Sequence, residues 1–377
     1  MSITIRRHAL DNPTEFLEFA ESLHSGDPSY VPALKGWLKR RLKPSNPFFK
    51  DAELVLFGAY RGDKMVGRIS ALVDRRFNQS KGEAVCWFGF VDFEDSSEIA
   101  TALFDAINSQ AYSWGCTVLR GARNLTRLED PGVTVSGFDR LPPMLASHHP
   151  AYIAQHLETA GFTKHHDLFA YEIDLFQEDG SPTPVPEALH AKADAVDIPG
   201  LVVRPFRWRH VWADMKRAFA VFDQAYRTVP DTATMPFSQF VSLALPFMIF
   251  TSPHLVQLAL VDGKPAGFVL CLPEINEAMG EWRGTFGPRG ALRFARRFRK
   301  IETAAFKLIG VMPEYRGTGL HAKMILAVVD GVRKAGYDRV DGSLIDERNK
   351  PMRGVVEGIG MKVYRTYRFF ERTVVSV

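Results

Sequence analysis

The fold is decided by one stretch, GVMPEYRGTGLHAK (residues 310–323), where a proline, an arginine and two closely spaced glycines separate two apolar runs. Upstream, AAFKLIGV (304–311) alternates loosely and has the length of a strand. Pro313 ends its ladder, because it has no N–H, and pushes Met312 towards extended backbone. Downstream, LHAKMILAVVDGVRKAG (320–336) puts Leu320, Met324, Ala327, Val328 and Val332 near one helical face and stops at Gly336. Gly317 and Gly319 therefore sit at a strand-to-helix junction, where a helix presents unpaired N–H groups and a partial positive charge. Two readings stay open: bare backbone admits a phosphate to those amides, or the glycines serve a tight turn at positive φ. The spacing excludes a Walker loop, since no Gly-Lys-Ser/Thr follows, and GxGxxG is incomplete.

Working outward, the chain repeats itself. LVLFGAYRGDKMVGRIS (54–70) parallels LVQLALVDGKPAGFVLC (255–271), each a strand, a Gly/Asp turn and a second strand. HLETAGFTKHHDLFAYEID (156–174) parallels VVEGIGMKVYRTYRFFERT (355–373), each a helix stopped by Gly161 or Gly360 and then a strand. Both pairs are offset by about 200 residues, which predicts two copies of one fold in the 377-residue chain. The proline- and acid-rich stretch 177–200 reads as the linker between them. Helices alternating with strands in each half predict an α/β class with a mixed sheet.

Here the residues reach a family. GVMPEYRGTGL resembles the acyl-CoA-binding motif of the GNAT N-acyltransferases, Arg/Gln-x-x-Gly-x-Gly/Ala after the fourth strand. The resemblance implies that Arg316, Gly317, Thr318, Gly319 and Leu320 cradle the CoA pyrophosphate, and that the backbone of Ile309 and Val311 pairs with the pantetheine arm. His321 stands where the family places a small residue, which implies an extra donor, a shifted pyrophosphate or a motif partly released from acyl-CoA. A second signature, Asn-x-x-Ala…Tyr…Gly-Phe, is partly present in NKPMRGVVEGIGM (349–361). Asn349 and Gly360 match it, Met352 and Met361 replace the small and aromatic residues, and Val356 replaces the usual proton-donating tyrosine. The first half carries no Arg-Gly-x-Gly after AVCWFGFVDFED (84–95). The implied architecture is two tandem GNAT-like domains: 1–176 without the CoA motif, the linker 177–200, and 201–377 with it.

N-acylation by a thioester needs a base for the amine, donors for the oxyanion and a proton for the thiolate. DGSLIDERN (341–349) offers Asp341, Asp346 and Glu347. Glu347 leads, because two residues before Asn349 on a strand it would face the same side. Glu277 and Glu129 are second candidates, and Tyr364 and Tyr367 on the last strand are alternative donors. No nucleophile elbow is present, so direct transfer is favoured over a covalent intermediate. The pairs His148/His149 and His165/His166 have no acidic cluster beside them in sequence, and no metal site is expected. Pro150 opens a helix after His148/His149, so this pair is expected to line the cleft between the halves.

Cys86, Cys116 and Cys271 lie far apart without CxxC spacing, which excludes a disulfide framework and suggests a reducing cytoplasm. The opening residues have no apolar core segment and do not read as a signal peptide. FVSLALPFMIFTSPHLVQLALV (240–261), broken by two prolines, reads as a helix end, a turn and a strand rather than a span. The net charge of +4 hides a local concentration, with Arg289, Arg293, Arg296, Arg297, Arg299 and Lys300 uninterrupted by acid. As a helix, this segment sets Ala291, Phe294, Ala295, Phe298 and Ile301 opposite the charges, a pattern that suits an anionic membrane surface or CoA's 3′-phosphate. No nucleic-acid partner is expected, since the basic face is small.

The leading reading is an acyl-CoA-dependent N-acyltransferase. The basic segment and the apolar run 247–250 point to a lipid-like amine or a long acyl chain, and the domain plan resembles that of the bacterial ceramide synthases, which acylate a sphingoid base. Acetylation of a small amine or amino acid, and a non-catalytic CoA sensor, remain open alternatives.

Overall fold

A computed structural model describes residues 2–227, 229–248, 250–282 and 288–376. Its strands are β1 (Ile3–His8), β2 (Ala52–Arg61), β3 (Lys64–Asp74), β4 (Val85–Phe93), β5 (Val118–Gly121), β6 (Val133–Ser136), β7 (Thr163–Asp174), β8 (Leu201–Pro205), β9 (Val256–Val261), β10 (Lys264–Pro273), β11 (Thr303–Val311), β12 (Arg339–Asp346) and β13 (Lys362–Thr373). The helices are α1 (Thr14–Leu23), α2 (Lys35–Leu42), α3 (Arg75–Lys81), α4 (Ser97–Ser113), α5 (Ala151–Thr159), α6 (Glu187–Asp194), α7 (Val211–Tyr226), α8 (Phe237–Met248), α9 (Asn276–Trp282), α10 (Pro288–Phe298), α11 (Leu320–Lys334) and α12 (Lys350–Ile359).

Both hairpins read from the repeat form, β2 with β3 and β9 with β10, and both glycine-stopped helices run into their strands. One mixed sheet joins everything in the order β1-β2-β3-β4-β5-β13-β7-β12-β11-β10-β9-β8, with β6 on β13. The copies exchange their last strands. The C-terminal strand β13 pairs with β5, and β7 of the first copy pairs with β12 of the second. Their mutual ladder, β13 against β7, spans Lys362↔Glu172 to Glu371↔Thr163 and closes the centre of the sheet.

Helix α11 follows its pattern with one addition. Leu320, Met324, Val328 and Val332 are buried towards the sheet, while Ala327 is only half-buried. A second buried pair, Ala322 and Ile325, packs against Leu189 and Ala193 of α6, a helix inside the stretch read as linker. That second face was invisible beforehand because its partner lies over 120 residues away in the chain.

Candidate active site

The parallel pair β11/β12 holds together over Thr303↔Arg339, Ala304↔Val340 and Ala305↔Asp341 and then parts. Beyond that point β12 pairs with β7 and β11 with β10, so β11 and β12 line two sides of a wedge. The parting is reinforced by a bulge: Leu270 faces Leu308 and Cys271 faces Phe306, which leaves Lys307 as the extra residue. The equivalent wedge between β4 and β5 is closed. Arg123 N–H donates to Phe88 O at 2.9 Å and Phe90 N–H to Asn124 Oδ1 at 2.9 Å. A Cβ on Gly89 would lie 2.1 Å from Arg123 O, so backbone fills the slot that in the second copy stays open.

A cavity of about 930 Å³ fills the open wedge and runs under α7 and α8. At one end are Tyr315, Arg316, Gly317 and His321; its body is apolar, with Phe222, Leu243, Phe247, Met248, Leu270 and Leu272. Among the expected cofactor contacts, Ile309, Val311, Arg316, Gly317, His321 and Asn349 reach this cavity, whereas Thr318, Gly319 and Leu320 lie outside its lining. Gly317 and Gly319 both have positive φ, +81° and +87°. They differ in surroundings. Gly317 opens to free space, but a Cβ on Gly319 would meet Lys192 O at 2.4 Å, so its bareness admits the end of the linker helix. The N–H groups of Gly317, Thr318, Gly319 and His321 find no hydrogen-bond partner among the described residues. Thr318 Oγ1 donates to Tyr315 O at 2.8 Å and steadies the turn. Burial, with Lys192 nearby, keeps His321 below its ordinary pKa and thus neutral.

Where the wedge closes, Lys307 and Ser343 make the cavity wall polar, with Glu274, Asp341, Tyr364 and Tyr367 behind the lining. Lys307 Nζ donates to Met144 O at 2.7 Å, and Glu274 accepts from Met144 N–H at 2.8 Å and Asn276 N–H at 3.2 Å. Asp341 takes the Tyr364 hydroxyl proton as a hydrogen bond. Tyr367 OH is buried without a hydrogen-bond partner among the described residues, and the buried Ser343 hydroxyl lies beside the Asp341 carboxylate. Burial pushes Glu274 up to about 7 against the pull of Lys307, and raises Asp341 for the same reason. Tyr226, stacked on Phe222 at 4.6 Å, also lines the cavity. Lys307, Glu274 and Ser343 escaped the sequence reading; the one available signal was a lysine inside an otherwise apolar strand.

The four expected catalytic residues are not brought together. Glu347 falls in the turn after β12, not on the strand, and pairs with Lys164 at 2.8 Å. Asn349 is the N-cap of α12, accepting from Met352 N–H at 3.2 Å. Glu277 accepts from Glu302 N–H at 2.9 Å, and neither it nor Glu129 lines the cavity. Glu129 is buried in a two-pronged pair with Arg41 at 2.7 and 2.8 Å, its charge spent on structure. Tyr364 does not line the cavity either; it stands behind the wall and donates to Asp341.

His165 and His166 correct a sequence inference, because folding brings acids to them: His165 Nε2 lies 3.4 Å from Asp231 Oδ2, and His166 Nε2 3.5 Å from Asp346 Oδ2. Both carboxylates are already held by guanidinium groups, with Arg348 at 2.6 Å from Asp231 and 2.7 Å from Asp346, and Arg127 at 2.5 Å from Asp346. Arg120 adds a third at 3.0 Å from Asp231. A divalent cation placed there would meet three fixed positive charges. Burial drives His166 down to about 3, so it stays neutral among them. His148 and His149 line a second, smaller cavity of about 100 Å³, separated from the large one by Met144 and Leu145, which border both.

No protein-family model matches the chain. It is 30% identical to the bacterial ceramide synthase of Caulobacter vibrioides, over 95% of this chain and 94% of that protein. It is 25% identical to Protein YghO of Escherichia coli K12, over 95% and 92% respectively. Among solved structures it superposes on a tandem GNAT protein from the clavulanic acid biosynthesis pathway with a TM-score of 0.58, covering 100% of both chains at 16% identity. A GCN5-related N-acetyltransferase from Sphaerobacter thermophilus gives 0.53 at 14% identity, covering 99% and 96%. The open wedge, the bulged strand and these likenesses agree: the chain has the tandem GNAT fold and belongs to the same family as the bacterial ceramide synthase.

Proposed function

We propose that this N-acyltransferase moves a long acyl chain from acyl-CoA to a lipid-like amine, a sphingoid base being the acceptor class that its ceramide synthase relative suggests. The observation that carries the proposal is the apolar body of the cavity, lined by Phe222, Leu243, Phe247, Met248, Leu270 and Leu272, which continues beyond the residues expected to hold the cofactor and gives a chamber of about 930 Å³ in all. The cofactor arm enters between β11 and β12, with its pyrophosphate at the free amides of 317–319 and 321 and at Arg316. The acyl chain runs on beneath α8. The first copy, whose wedge is sewn shut, serves as wall and scaffold rather than as a second cofactor site. Helix α10 rests Phe294 and Phe298 on Phe250 and leaves Arg289, Arg293 and Arg296 exposed. This supports peripheral contact with an anionic membrane, from which a long-chain amine is collected. Among the described residues no helix is long and apolar enough to cross one.

Thiol release from a series of acyl-CoAs, short to long, with sphingoid bases and small amines as acceptors, tests the reading. Each methylene buried contributes about 0.8 kcal/mol, so kcat/KM is expected to rise about fourfold per methylene until the cavity is full. Preference for acetyl-CoA and a small amine would replace the lipid reading with small-molecule acetylation, and CoA binding without turnover on any acceptor would leave a sensor.

A further inference from the structure

We infer that Lys307 is the general acid of this transferase, the group that hands the departing CoA thiolate its proton. The tyrosine that does this in many relatives is Val356 here, and the structure buries Val356 in an apolar cluster with Tyr171 and Ile345, so α12 brings no acid to the wedge. The cavity wall then supplies the alternatives. Its cations are Lys307 and six arginines, among the described residues, and a guanidinium does not give up its proton. The lining carboxylates among the described residues, Asp51, Asp74, Asp174, Asp231 and Asp346, are each paired with an arginine. His321 stands at the phosphate end. Lys307 combines an exchangeable proton with the position where β11 and β12 part, the place the bulge gives it; the Tyr226 hydroxyl, which reaches the Ile309 backbone from α7, is the competing donor.

The surroundings fit an acid held in readiness. Met144 O fixes Nζ at 2.7 Å, and the carboxyl groups of Glu274 and Asp341 lie close enough for their charges to bear on the ammonium. Beside it on the cavity wall is the buried Ser343 hydroxyl of β12, next to the Asp341 carboxylate that stands just behind the lining. An ammonium and a hydroxyl facing the cavity at one point make a polar spot in its apolar body, suited to the polar reacting atoms. In the transfer, the amine lone pair forms the C–N bond while the C–S pair passes to sulfur. Sulfur takes a proton from Lys307 Nζ. The nitrogen releases one proton to water, from which the lysine is recharged, so thioester and amine become amide and thiol with no other reagent.

The inference rests on transfer from CoA and not on the acceptor's identity, so an acceptor other than a lipid amine leaves it standing. The decisive variant is Lys307→Arg, which keeps the charge and a donor for Met144 O but cannot surrender a proton. Its kcat is expected to fall about 10²- to 10⁴-fold, the range for a lost general acid. Acyl-CoA affinity and Tm should stay near those of the wild type. Lys307→Met should lose as much. With an acyl ester of thiophenol, whose thiolate leaves unprotonated, the loss in Lys307→Arg should shrink to under about tenfold. A kcat for Lys307→Arg within about threefold of wild type would overturn the assignment. So would a loss of equal size for both leaving groups, which marks a positioning role, or the leaving-group signature appearing in Tyr226→Phe instead.

Discussion

Single residues decide how the loop 316–321 is built, and its two glycines stand in different surroundings. Both have positive φ, which costs a side chain about 1–2 kcal/mol. Gly317→Ala adds little else, since its Cβ would enter open space. Gly319→Ala would also drive a methyl group into the Lys192 carbonyl at 2.4 Å and pry α6 from α11. Urea unfolding should therefore show a loss of about 1–2 kcal/mol for Gly317→Ala and clearly more for Gly319→Ala. Equal losses would mean that the linker helix does not seat on Gly319. From sequence the pair looked equivalent, because a Gly-x-Gly spacing reports backbone freedom and not what fills the space. Asn349 is a parallel case. Its motif position was readable, while its job as helix cap depended on where β12 ended.

At the scale of elements, local pattern was informative wherever the partner was local. The hairpins β2/β3 and β9/β10 carry their turn chemistry within a few residues, and the amphipathic stretch 289–301 announced α10, which stops at Phe298 and leaves Arg299, Lys300 and Ile301 beyond it. In that helix Ala295 is exposed rather than packed, and the Ala291 side chain lies outside the described residues. The exposed arginines make a quantitative expectation possible. Arg293→Glu with Arg296→Glu should weaken partition onto phosphatidylserine vesicles by at least about 2 kcal/mol, roughly thirtyfold, at about 1 kcal/mol per basic residue. Sedimentation with vesicles reads this directly, and a wild-type protein that ignores anionic vesicles would end the membrane reading. Pairings between distant elements were not legible. The bulge that presents Lys307 requires β10 and β11 to be laid side by side, and the face of α11 that holds α6 shows only once the linker folds back.

Over the whole molecule, the exchange of β7 and β13 makes the halves interdependent. Without β13, β5 and β7 lose the strand between them and two edges lie open in the sheet centre. Residues 1–176 expressed alone are expected to be insoluble or non-cooperative in unfolding, and co-expression with 177–377 should restore a soluble complex. A first half that folds cooperatively by itself would show that the exchange is dispensable. The large cavity has the same collective origin, with walls from α7, α8, the wedge and the loop 142–145 of the other copy. The amino-acid sequence by itself determined the family, the repeat, the strand–glycine–helix junction and the absence of the usual tyrosine, because each is written in residues adjacent in the chain. Only the tertiary structure decided which wedge stays open, that Glu129 and Glu347 are spent on ion pairs, and that Lys307, Glu274, Asp341 and Ser343 share one polar patch. Long-range strand pairing and burial set those outcomes, and neither has a local signature.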